Sequence, residues 1–105
     1  MRRGEVWWAE LPEPVGPRPV LLVSRDEAYD VRAFVMVAPV TTRIRRIKAE
    51  VTLGEREGLE RCSVADLDSI ATVPKAALRR RLGAVGIEKG RAVDEALHFS
   101  LGLGH

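Results

Sequence analysis

Only one stretch of this sequence, residues 87–103, repeats its apolar side chains at helical spacing. Val93, Leu97 and Leu101 recur at i, i+4 and i+8, with Ala92, Ala96, Phe99 and Leu103 beside them. Everything before it is a series of short apolar runs broken by turn residues. Residues 5–11 are aromatic and apolar enough for a strand, and Val20–Val23 is a continuous run that suggests burial on both faces. Ala33–Val40 reads as another buried strand and Glu50–Leu53 as a shorter, alternating one. Cys62–Ala65, Ser69–Val73 and Arg81–Val85 are further short candidates. Pro12-Glu13-Pro14-Val15-Gly16-Pro17 forces a stiff loop, and residues 54–60 read as a polar one. Ser24 is placed to cap a short helical turn, and Pro74–Leu78 opens like a single turn with proline at its first position. Short strands closed by one C-terminal helix predict an α+β, mainly β fold. The expected form is a small barrel or curled antiparallel sheet with the helix packed against it.

The 105 residues suit one domain, 1–105, with a modest core. A single cysteine, Cys62, excludes an internal disulfide framework and is expected to be a buried thiol. His98 and His105 have no metal-ligand spacing between them and are expected to face solvent or a partner, so no metal and no cofactor is implied. There is no phosphate-cradling glycine loop and no nucleophile elbow, which disfavours most common enzyme classes. No apolar run approaches the roughly 20 residues of a membrane span. The basic start, Met1-Arg2-Arg3, is not followed by a signal-peptide apolar region, so the cytoplasm is the expected location.

The net charge of +2 is a mild hint of a polyanionic partner, but its distribution says more. Of the 17 basic residues 14 are arginine, and they cluster at Arg2-Arg3, across Arg43–Lys48 and at Arg79-Arg80-Arg81. Arginine binds phosphate through a planar fork that lysine lacks. Two segments can carry chemistry. In Pro17-Arg18-Pro19 both rings restrict the backbone, so the guanidinium leaves from a pre-organised position, as an anion-stabilising group should. In Ala38-Pro39-Val40-Thr41-Thr42 a strand ends in two hydroxyls just before the basic run, an arrangement suited to a phosphodiester. A proline-terminated strand with a turn-stabilising threonine is the alternative, and neither segment alone is a specific motif. Trp7 and Trp8 are strand neighbours and point to opposite faces. One belongs to the core, and a core or interface role is preferred for both over an aromatic stacking platform.

Taken in order, these segments resemble the MazF/PemK/Kid family of toxin ribonucleases over nearly the whole chain. Arg3-Gly4-Glu5-Val6-Trp7 is similar to the family's opening motif, and Arg18-Pro19-Val20-Leu21-Leu22-Val23-Ser24 to its second strand. Val37-Ala38-Pro39-Val40-Thr41 resembles the family's V-x-P-[IV]-T segment. Val93–Leu97 followed by Ser100–Leu103 looks like its closing helix. The resemblance implies an SH3-like barrel that dimerises to build RNA-binding grooves. It implies metal-independent cleavage of RNA by 2′-hydroxyl attack, leaving a 2′,3′-cyclic phosphate and a 5′-hydroxyl. On this resemblance the catalytic arginine is Arg18 and the catalytic threonine Thr41. Glu13 is the nearby candidate for a base. Thr42, Arg43, Arg45, Arg46 and Lys48, with Arg79, Arg80 and Arg81, are the candidate RNA contacts. A cognate antitoxin with an acidic tail is the expected protein partner, covering Arg18, Thr41 and the 43–48 loop.

Two features depart from the family pattern. The first loop is only Pro12–Pro17, and Ser69-Ile70-Ala71 stands where the family often has Gln-[IV]-[RK]. A short stiff loop and a missing base reader predict an open groove suited to exposed loops of tRNA or rRNA as well as, or instead of, unstructured mRNA. A non-enzymatic gyrase poison of the CcdB kind and an RNA-binding module without turnover are the alternatives on the same barrel.

Overall fold

The computed structural model describes residues 1–103, and His105 lies outside the described residues. Seven strands form one curled antiparallel sheet: β1 (Glu5–Ala9), β2 (Arg18–Leu22), β3 (Phe34–Thr41), β4 (Glu50–Leu53), β5 (Ser63–Asp66), β6 (Ala71–Pro74) and β7 (Leu78–Ala84). A one-turn helix α1 (Ala28–Val31) joins β2 to β3, and α2 (Ile87–Ser100) closes the described chain. The neighbours run β4-β5-β3-β2-β1-β7. β3 divides its length between partners: Phe34–Val37 pair with β6, Val37–Pro39 with β2, and Val40–Thr41 with β5. That division bends the sheet into a half-barrel, the curled sheet with a packed helix expected from the sequence.

Strand alternation sorts the apolar residues into two clusters. Val6, Leu21, Ala38, Val40 and Ala65 face one side, where α2 covers them with Val93 and Ala96. Ala9, Val20, Leu22, Val35 and Val37 face the other, against Tyr29 of α1. Leu21 and Leu22 are both fully buried although they point to opposite faces, which explains the unbroken apolar run in β2. Burying each contributes about 1.5–3 kcal/mol. Burial also pushes the Tyr29 phenol up to about 12.

Several local expectations need correction. Ser24 does not cap α1; its Oγ accepts the Met36 N–H at 2.7 Å and ties the end of β2 to β3. β3 is not buried throughout, because Phe34 and Met36 point outward, 55% and 43% exposed. Residues 54–60 are more than a polar loop. They form a 3-10 turn whose buried Glu57 accepts Gly54 N–H at 2.7 Å and Lys89 Nζ at 3.2 Å. The turn packs so closely that a Cβ at Gly58 would collide with the Leu82 carbonyl, and one at Gly83 with that of Glu57. Pro74 caps the 3-10 turn at Lys75–Ala77 rather than occupying its first position. The helix ends at Ser100, so Leu101 and Leu103 lie beyond it and are exposed. Among the described residues no helix is long and apolar enough to cross a membrane.

Candidate nucleic-acid interface

The β2–β3 register sets the site. Val20 pairs with Pro39 and Leu21 with Ala38, so the start of β2 lies beside the end of β3 and brings Arg18 and Thr41 to one cleft. Both side chains line one cleft of about 340 Å³ with Pro39, Arg43, Arg45, Asp66 and Ser69. The stiff loop before β2 folds back on itself through Gly16 N–H to Pro12 O at 3.1 Å, with the Glu13–Pro14 peptide cis. It offers Arg18 one anchor, Val15 O, which accepts Nη2 at 3.0 Å. Arg18 Nε is buried and has no hydrogen-bond partner among the described residues. An unpaired buried donor is costly unless a ligand accepts it, so this guanidinium is set for an anion. Thr41 Oγ1 accepts the Arg43 N–H at 3.1 Å, which holds the hydroxyl at the strand end with its own proton free to donate.

The arginines of the 43–48 loop are held differently from Arg18. Arg45 donates Nε to Glu50 at 3.1 Å and Nη2 to Asp66 at 2.8 Å, so its charge is already paired. Asp66 also accepts Ser69 Oγ at 2.8 Å and Asp68 N–H at 3.0 Å. Glu50 receives the N–H groups of both Arg45 and Arg46 at 2.9 Å. Burial raises the Glu50 carboxyl, but these donors and the guanidinium outweigh it and leave it below its ordinary value. The same contacts raise Arg45. Arg46 carries φ of 59° to make the turn, and its side chain is exposed outside the cleft. Lys48 sits 5.8 Å from the Phe99 ring centroid, away from Arg18.

Four further expectations change. Glu13 does not line the cleft, because its carboxylate lies against Gly16 within its own loop. The carboxylate that does line it is Asp66. Arg79, Arg80 and Arg81 all belong to β7, which starts before the expected Arg81, and they have separate fates. Arg81 pairs with Glu5 at 3.3 Å, and Arg79 falls at a register shift between β1 and β7. Arg80 and Thr42 line a second groove on the other side of the strand ends, with Trp8 and Arg61. Trp7 packs on the second core cluster, while Trp8 lines this groove and is not a core residue. Cys62 is exposed, not buried, because it precedes the first paired residue of β5. His98 is exposed on α2, as expected.

A family model described as PemK-like, MazF-like toxin of type II toxin-antitoxin system matches residues 2–101. The chain belongs to this MazF-like toxin family. The chain is 41% identical over 100 residues to a probable endoribonuclease, MazF5, of Mycobacterium tuberculosis, covering 94% of this chain and 91% of that protein. Among solved structures, the M. tuberculosis toxin MazF-mt6 superposes with a TM-score of 0.88 at 30% identity, over 96% of this chain and 99% of that one. A mycobacterial endoribonuclease in complex with its cognate antitoxin gives 0.89 at 30% identity, over 100% and 98%. The Arg18–Thr41 cleft is built from two of the segments that carry the MazF-like resemblance, the start of β2 and the end of β3.

Sequence reasoning missed Asp66 and Ser69 in the toxin's cleft, Glu50 as the partner of Arg45, and Arg61 in the second groove. The signal for the first group was faint: Glu50 and Asp66 face each other in the β4–β5 register, which requires the pairing to be known. Arg61 stands alone in a mixed-charge loop and carries no pattern.

Proposed function

We propose that this chain is a toxin endoribonuclease that cleaves RNA without a metal, with Arg18 and Thr41 at the scissile phosphate. The observation that carries the reading is the unsatisfied, buried Arg18 Nε beside the Thr41 hydroxyl in an arginine-lined cleft. In the reaction the 2′-oxygen bonds to phosphorus and its proton is lost, while the P–O5′ bond breaks and the 5′-oxygen gains a proton. The products are a 2′,3′-cyclic phosphate and a 5′-hydroxyl. Negative charge grows on the phosphoryl oxygens at the transition state. A fixed guanidinium and hydroxyl then contribute more than they do to the ground state.

The chain acts as a homodimer, the common remedy for a small barrel with limited buried surface. A co-expressed antitoxin with an acidic segment covers the Arg18 cleft, in keeping with the antitoxin complex of the mycobacterial endoribonuclease. Because loop 12–17 is closed on itself, the cleft stays open enough for exposed loops of folded RNA. Incubating purified protein with mixed RNA in EDTA, then mapping the new 5′ ends, tests the reading. Cleavage with 5′-hydroxyl ends supports it. Binding without cleavage, or neither, overturns it in favour of an RNA-binding module or a gyrase poison.

A further inference from the structure

We propose that the second groove is a nucleotide subsite, in which the base next to the cleaved bond stacks on Trp8 while Arg61 and Arg80 hold the adjoining phosphates. This rests on the RNA-cleaving reading above. Trp8 is the centre of a row crossing three strands, with Pro19 of β2 and Arg80 of β7 as its direct cross-strand neighbours. Gly58, Leu59, Glu60 and Arg61 line the groove with them, as do Thr42 and Ser63. The groove is about 550 Å³, within the range of small-ligand sites. Its wall is fixed in advance by the close backbone packing of Gly58 on Leu82 and Gly83. The indole is fixed too, since Nε1 donates to Glu10 at 3.2 Å.

Three observations select the occupant. First, Arg61 and Arg80 form no ion pair among the described residues, whereas Arg45 and Arg81 do. Two unpaired guanidiniums beside an aromatic face match a stacked nucleotide with its phosphates. Second, the groove adjoins the reaction cleft by one residue: Pro19 follows Arg18 in β2, and Thr42 directly follows Thr41, the last residue of β3. Successive strand residues point to opposite faces. A polynucleotide crossing these strand ends therefore leaves a phosphate at Arg18 and carries the neighbouring base over the rim to Trp8. Third, Glu60 lines the groove, which disfavours an acidic peptide and favours a base whose exocyclic amine can donate to it. The preferred base at this position is cytosine, adenine or guanine over uracil.

The test uses a short RNA with a 2′-deoxyribose at the scissile position, so that it binds without being cut. Each flanking base is replaced in turn by an abasic residue. In the wild-type protein one such position should weaken binding about tenfold, the scale of one stacked base. The same replacement should cost Trp8→Ala nothing further, and Trp8→Phe should keep most of the affinity. With cleavable RNA, Trp8→Ala should raise KM and leave kcat little changed, and Glu60→Gln should narrow the preference against uracil. If every abasic position weakens wild type and Trp8→Ala equally, the subsite is overturned while the cleavage reading stands. If poly-glutamate binding depends on Trp8 and RNA binding does not, the groove serves a protein and the proposal also fails. Wild-type protein that binds no RNA overturns both readings together.

Discussion

Arg18 and Arg45 line the same cleft and differ in what holds them. Arg18 rests on one carbonyl and keeps a buried donor without a partner. Arg45 spends its guanidinium on Glu50 and Asp66 and is already satisfied. The difference separates a cation kept for a ligand from a cation that builds the wall around it. Position in the basic run says little about Arg45; the carboxylates that other strands bring near decide its role.

The comparison breaks most visibly in catalysis. Arg18→Ala and Thr41→Ala should each reduce RNA cleavage by at least about 10²-fold, the scale of one lost transition-state donor. Arg18→Lys should recover little, because a point charge cannot replace a fork that reaches both the anion and Val15 O. Circular dichroism and thermal unfolding should stay near wild type, since neither side chain is in the two apolar clusters. Full activity in either alanine variant would remove the pair from the reaction.

Arg45 should behave in the opposite way, through stability. Glu50→Ala leaves two backbone N–H groups without their charged acceptor and should cost about 2 kcal/mol, read from urea unfolding. A carboxyl lowered on folding contributes stability above its unfolded value, about 4.3, and loses it as pH falls through the folded one. Wild type should therefore lose stability below about pH 4 more steeply than Glu50→Gln does. Parallel curves for the two proteins would mean that the wall does not depend on this carboxylate.

The sequence was legible where local rules coincide with tertiary need. Helical spacing marked α2, the continuous apolar run marked β2, and Pro17-Arg18-Pro19 marked the residue that shares a cleft with Thr41. It misled where the deciding partner is distant in the chain. Ser24 looks like a helix cap until β3 supplies the Met36 N–H. Residues 54–60 look like a polar loop until Lys89 of α2 supports Glu57. Glu13 is near Arg18 in sequence, yet the closed loop turns its carboxylate onto Gly16. The Arg79–Arg81 triple looks uniform, but strand alternation and a register shift give each arginine a different neighbourhood. Trp8 reads as core or dimer surface because its groove neighbours Arg61 and Arg80 come from distant parts of the chain.

The smallest expected effect sharpens the same contrast within one loop. Arg43 lines the cleft, and Arg46 lies outside it. Neither is in an ion pair among the described residues, so the two differ chiefly in place. A cation that neutralises one phosphate of a single strand adds about 0.7 to the slope of log affinity against log salt. Arg43→Ala should lower that slope by about this amount and weaken binding of an uncleavable RNA several-fold. Arg46→Ala should change neither measurably. Arg45→Ala should lower the unfolding midpoint while keeping the slope, because its charge is committed to Glu50 and Asp66 before RNA arrives. If Arg45→Ala and Arg43→Ala reduce the slope equally, RNA displaces the carboxylates on binding, and the distinction between free and committed cations holds only for the unbound protein.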